Sequence, residues 1–220
     1  MTPHSIRIVV ADDHTIVREG LKQILSAASD LSVVGEAQDG HQVMERVRQM
    51  EFDLLLLDMS MPGKSGIELI KQVRSEKPRL RILVLSMHEE KQYAVRAIKA
   101  GAAGYLTKES ASEQLVSAIR KVAAGGAFIS SAVAEQIALG AMPDAAGPPH
   151  SSLSDREFQV LRMIASGRTV SEIANELSLS VKTVSTHKAR LMQKMGITNQ
   201  ADLIRYALNH RLIEDPENPA

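Results

Sequence analysis

The chain has 220 residues, and its 26 lysines and arginines balance 26 acids, so it is long enough for two small domains and carries no net field toward nucleic acid or membrane. With no cysteine, disulfides, thiol catalysis and Cys-ligated zinc are excluded together. No apolar run reaches the ~18 residues of a membrane span, no charged-then-apolar leader opens the chain, and the absence of tryptophan argues against a base-stacking reader of single strands; a cytoplasmic protein without a membrane partner is expected.

The first half alternates strand and helix signals. Ile6-Arg7-Ile8-Val9-Val10-Ala11 is a β-branched run ending in Asp12-Asp13, and Ile16, Val17, Leu21, Ile24 and Leu25 follow at helical spacing. A second strand is predicted over Leu31 to Glu36, with a helix through Val43, Met44, Val47 and Met50. Leu54-Leu55-Leu56-Leu57 reads as a strand buried on both faces, although periodicity alone leaves a buried helix segment open. It ends in Asp58-Met59-Ser60-Met61-Pro62-Gly63. Ile67, Leu69, Ile70 and Val73 mark the next helix, closed by Pro78, then Arg81 to Ser86 is a strand and about Glu89 to Ala100 a helix. A short strand, Gly104 to Thr107, ends in Lys108, and Leu115, Val116, Ile119 and Val122 carry the last helix of this half. Five such βα units predict a parallel sheet with helices on both faces and right-handed crossovers.

On that scaffold Asp12, Asp13, Asp58, Ser86 and Lys108 all fall just after strand carboxyl ends, where open α/β sheets bind ligands. Any one of them could simply cap the following helix. Five polar groups from four strands converging on one rim are harder to explain that way. Three carboxylates together repel unless a cation joins them, and their hard oxygens suit Mg²⁺. The chemistry this favours is phosphoryl transfer to a carboxylate.

Asp12-Asp13, Asp58 to Gly63, Ser86, Gly104-Tyr105 and Thr107-Lys108 together resemble the receiver domain of two-component response regulators over residues 5–125. The resemblance implies a flavodoxin-like α/β fold, a five-stranded parallel sheet in the order 2-1-3-4-5. It further implies that Asp58 takes phosphate from a sensor histidine kinase, with Mg²⁺ held by Asp13, Asp58 and the backbone carbonyl of Ser60, and with Asp12 acting largely through a metal-bound water. Lys108 would pair with phosphoryl oxygens, Ser86 would donate its hydroxyl and Tyr105 would swing inward. Many relatives carry Asn where this chain has Ser60. That position and His88 tune phosphate lifetime in the family, so Ser60 and His88 are expected to do so here, unless His88 is an ordinary exposed loop residue.

Residues 126–150 read as a short helix, Ala132 to Leu139, and a flexible linker rich in Gly, Pro and Ala. A small all-α domain of four helices is predicted over 151–215. Ser154 and Glu157 form a capping box, and Phe158, Val160, Leu161 and Ile164 follow before Gly167. Val170 to Leu177 is a second helix, Ser178-Leu179-Ser180 a turn, and Val181 to Met195 a third helix stopped by Gly196. Asn199 caps a fourth. The turn glycine familiar from helix-turn-helix motifs is absent, but the third helix holds Lys182, His187, Lys188, Arg190 and Lys194 with no acid. A basic run is often only a solvated face. Here Thr183, Ser185 and Thr186 interleave with it and offer hydrogen bonds to phosphates and base edges.

The order Ser154 to Glu157, Gly167, Glu172-Ile173-Ala174, Leu177, Ser180 to His187 and Lys194-Met195-Gly196 is similar to the LuxR-type DNA-binding domain. Joined to the receiver, it identifies the chain as a member of the NarL/FixJ response regulators. That membership implies double-stranded DNA as partner, base-edge contacts near Ser185, Thr186 and Ala189, and Lys182, Thr183, Lys188 and Arg190 nearer phosphates. Dimer contact between DNA-bound copies would come from the fourth helix, at Asp202, Leu203 and Tyr206. Receiver dimerisation has two candidate faces, along the fourth and fifth strands or along the first and fifth helices. Two other readings stay open: a Mg²⁺-dependent phosphatase of the aspartyl-phosphate type, disfavoured by Ser60 where a catalytic acid is needed, and a DNA-binding regulator that ignores phosphate.

Overall fold

The computed structural model describes residues 5–61, 66–86, 91–139, 148–177, 179–210 and 212–213. Pro62, Gly63, His88, Ser178 and the linker at 140–147 therefore lie outside the described residues. The chain divides into two compact units, Met1–Ala138 and Leu139–Ala220. Among the described residues no helix is long and apolar enough to cross a membrane.

In the first unit the strands are β1 (Ile6–Ala11), β2 (Leu31–Ala37), β3 (Leu54–Asp58), β4 (Arg81–Ser86) and β5 (Gly104–Thr107). They form one parallel sheet in the order β2-β1-β3-β4-β5. The intervening helices are α1 (Thr15–Ser26), α2 (Gly40–Gln49), α3 (Gly66–Glu76), α4 (Lys91–Ala100) and α5 (Ala111–Ala123).

Strand period sorts the core into two layers. Val9, Leu55, Leu57, Ile82 and Val84 face the apolar residues of α2, α3 and α4, while Ile8, Val10, Leu54, Leu56, Leu83 and Leu85 face those of α1 and α5. All four leucines of β3 are fully buried, as a central strand covered on both faces requires.

The segment after α5 folds back onto the sheet. Phe128 N–H donates to the Ala103 carbonyl, and the Tyr105 N–H donates to the Phe128 carbonyl, so the chain pairs along the outer edge of β5. The next helix, α6 (Ser131–Leu139), buries Val133 in the same layer as Tyr105. An open edge strand exposes unpaired backbone groups, and this return covers part of that edge.

The second unit contains a 3-10 turn (Pro149–Ser152) and helices α7 (Asp155–Ala165), α8 (Val170–Glu176), α9 (Val181–Met195) and α10 (Gln200–Asn209). Local chemistry sets their starts. Ser154 with Glu157 and Thr169 with Glu172 form capping boxes, and the side chains of Ser180 and Asn199 accept from Thr183 and Asp202 backbone amides. Gly167 and Gly196 end helices at positive φ, 85° and 65°, a region glycine enters without steric penalty.

His150, expected at the end of the linker, is buried within the helical unit, with Nδ1 2.7 Å from the Tyr206 hydroxyl and its ring against Phe158 and His210.

Candidate functional site: an acidic rim and a basic helix

Strand register brings the polar residues of the first unit together. Ala11 pairs with Leu57, so Asp12 and Asp58 leave adjacent strands at the same level. Asp58 pairs with Leu85 and Ser86 with Thr107, which places Ser86 and Lys108 one step beyond it. The Lys108 N–H donates to the Ser86 carbonyl at 2.7 Å. Its ammonium reaches back to Asp12 Oδ2 at 2.6 Å and Asp58 Oδ2 at 3.2 Å.

Asp58 is 0 % exposed, Asp12 1 % and the Lys108 side chain 12 %. Burial pushes the Asp58 carboxyl above its ordinary pKa; the Lys108 charge works against that, and the Asp12 charge adds to it. For Lys108, burial favours the neutral amine, but the Asp12 hydrogen bond and the Asp58 charge outweigh it and hold the ammonium above the usual lysine value.

Two residues absent from the sequence reading complete the rim. Oxygen and nitrogen atoms of Asp12, Asp13, His14 and Asp58 all lie within 4.8 Å of one another. His14 occupies the N-cap of α1. Arg18, buried, donates to the Asp12 carbonyl at 2.8 Å and to Glu36 at 3.0 Å, and so pins the loop that carries both acids. A signal for Arg18 exists in the sequence: it shares the spacing of Leu21 and Leu25, putting a cation on the buried stripe of α1.

Ser86 and Tyr105 are buried, and Tyr105 lies in the apolar layer with Ala94, Val95 and Ala97 of α4. Ser60 is exposed two residues past Asp58.

In the second unit, α9 turns Val184, Leu191 and Met195 into the core and leaves Lys182, Ser185, Thr186, Ala189 and Arg190 exposed. Thr183, His187 and Lys188 are half-buried. The Thr183 hydroxyl bonds Ser180, Thr186 donates to the Lys182 carbonyl and Lys188 donates to Gln200. Lys194 pairs with Glu157 at 2.7 Å, so it braces α7 instead of standing free. Val181, which sequence reasoning passed over, is 51 % exposed at the start of the helix.

The dimer expectation for α10 needs one correction. Leu203 is 0 % exposed and, with Ala207, forms the helix's core stripe, so it has no surface to offer a second copy. Tyr206 is half-buried with its hydroxyl against His150, and Asp202 bonds Asn199 and Arg205.

Residues 8–120 match the family of response regulator receiver domains, and residues 151–207 match the bacterial regulatory proteins of the luxR family. Response regulator UvrY of Escherichia coli K12 is 38 % identical over 208 residues, 94 % of this chain and 95 % of that protein. The chain belongs to the NarL/FixJ response regulators. Two solved structures of another such regulator, RcsB of Salmonella, extend the comparison. One, at 30 % identity and a TM-score of 0.74, covers 94 % of this chain and 98 % of RcsB. In the other RcsB is bound to promoter DNA in the presence of the phosphomimetic BeF₃⁻; it shares 31 % identity, with a TM-score of 0.68, over 92 % of this response regulator and 98 % of RcsB.

Proposed function

We propose that this response regulator is switched by phosphorylation of Asp58 from a sensor histidine kinase. The observation that carries the reading is a fully buried carboxylate at the carboxyl end of the central strand, 3.2 Å from an ammonium and within ligand distance of two further acids. In the transfer, the phosphorus–nitrogen bond of a phosphohistidine breaks as an Asp58 oxygen bonds to phosphorus, and the imidazole leaves. Lys108 would balance the charge that arrives. Ser86 and Tyr105 would respond to it.

Three carboxylates against one ammonium leave an excess of negative charge, so the residues fit a hard divalent cation. Mg²⁺ held by Asp12, Asp13, Asp58 and the Ser60 carbonyl would neutralise phosphoryl oxygens. Ser60, exposed beside the acceptor, and His88 would set the lifetime of the adduct.

The output is DNA binding by α9 in the major groove, with Val181, Ser185, Thr186 and Ala189 at base edges and Lys182, Thr183, His187, Lys188 and Arg190 toward phosphates. The half-exposed valine suits a thymine methyl. A homodimer reads two half-sites, and α10 offers the exposed Arg205 face to a second copy. Phosphate biases a two-state receiver; moving it from mostly off to mostly on requires about 5 kcal/mol of differential affinity.

Intact-mass measurement after incubation with acetyl phosphate and Mg²⁺ tests this. A stable single-phosphate adduct is expected, absent in Asp58→Asn, together with at least about tenfold tighter binding to promoter DNA, or ~1.4 kcal/mol. Rapid turnover without an adduct would make the protein a phosphatase. DNA binding without any adduct would make it a phosphate-independent regulator.

A further inference from the structure

We propose that His14 is a nitrogen ligand of the acidic rim and tunes it toward Mn²⁺ over Mg²⁺. The inference rests on the cation site proposed above and adds a residue and a metal preference to it.

His14 stands at the N-cap of α1, where Ser, Thr, Asp and Asn are preferred because their oxygens accept from the first turn. Its ring makes no capping hydrogen bond. Instead Nδ1 sits 3.0 Å from Asp13 Oδ1 and 3.3 Å from Asp12 Oδ1. Neighbouring ligands of an octahedral ion with bonds of about 2.1 Å lie about 3 Å apart, so these separations match adjacent coordination positions.

The backbone places His14 beside the first acid: its N–H donates to Asp12 Oδ1 at 2.8 Å, a short turn that sets where the imidazole starts from. Arg18 clamps the carbonyl of the same Asp12. Below them Asp58 Oδ1 is buried and has no hydrogen-bond donor among the described residues, an acceptor aimed into the same cluster. Lys108 reaches the Oδ2 atoms of Asp12 and Asp58, which leaves the His14 side of the cluster as the cationic opening.

Carboxylate and water alone hold Mg²⁺ and Mn²⁺ alike, whereas an added imidazole favours a first-row transition ion such as Mn²⁺ over Mg²⁺. His14 is 66 % exposed as a side chain and caps nothing, so replacing it removes a ligand without removing a core residue.

The test uses the full chain with Mn²⁺ and Mg²⁺ as probes. Pulsed electron paramagnetic resonance of the Mn²⁺ form should show ¹⁴N coupling from a directly bound imidazole. In His14→Ala that coupling should vanish and Mn²⁺ affinity fall by about tenfold, with Mg²⁺ affinity nearly unchanged. Asp58→Asn serves as the control for the location of the ion. Asp58-dependent Mn²⁺ binding without nitrogen coupling, or with equal affinity in His14→Ala, overturns the inference and leaves the phosphorylation reading intact. Loss of the inference and of the cation site together would appear as no Asp58-dependent binding of either metal.

Discussion

Asp58 differs from the chain's other aspartates through its neighbours, not its type. A carboxylate at the tip of β3 would ordinarily be solvated, but here the sheet and its helices cover it completely, and Lys108, fifty positions away in sequence, supplies the compensating charge. At the amino end of β5, away from that rim, Gly104 shows how tightly the strand is packed. A methyl group added there would lie 2.7 Å from the Leu83 side chain and 3.1 Å from the Phe128 carbonyl. Leu83 is itself fully buried, so its side chain would have to shift within a packed layer. Gly104→Ala should therefore cost about 1–3 kcal/mol of receiver stability through overpacking, read as a lower urea midpoint of the first unit. An unchanged midpoint would show that the Phe128 return is loosely held.

At the scale of elements, helices and strands were legible because their signals are local. The four leucines of β3, the serine and glutamate at the start of α7 and the glycines after α7 and α9 each act within a few residues. The Thr169–Glu172 box follows the same pattern. Glu157 illustrates what locality leaves out. Besides closing its capping box it receives Lys194 from α9. Burial disfavours its charge, but the Lys194 ammonium and the Ser154 backbone N–H more than offset this, so the carboxyl titrates below its ordinary value. A depressed acid stabilises the fold above its unfolded pKa of about 4.3 and loses that contribution as pH falls through the folded value. Thermal midpoints of the second unit should drop as pH is lowered from about 5 toward about 3, in part through this group. Glu157→Gln should have a lower midpoint at neutral pH and a shallower decline. Parallel curves for the two proteins would deny the Lys194 brace.

At the scale of the whole molecule, a chain with no net charge concentrates cations on one helix. If Lys182 and Arg190 contact phosphates, DNA affinity should fall linearly in log–log with salt, and each alanine substitution should reduce that slope by about 1 while weakening all sequences alike. Fluorescence anisotropy across a salt series measures this. A slope that survives both substitutions would move the interface off α9.

The sequence by itself determined the succession of strands and helices, the fall of its acids and its lysine at strand ends, and the basic face of α9, because a period of two or of 3.6 and a cap are properties of neighbouring residues. Tertiary structure decided which carboxylates share Lys108, that Arg18 grips the acidic loop, that His14 faces it, that Leu203 points inward and that His150 belongs to the helical unit. Each of those depends on which surfaces pack against one another, or on where a flexible side chain settles once they have. Neither is specified by local spacing.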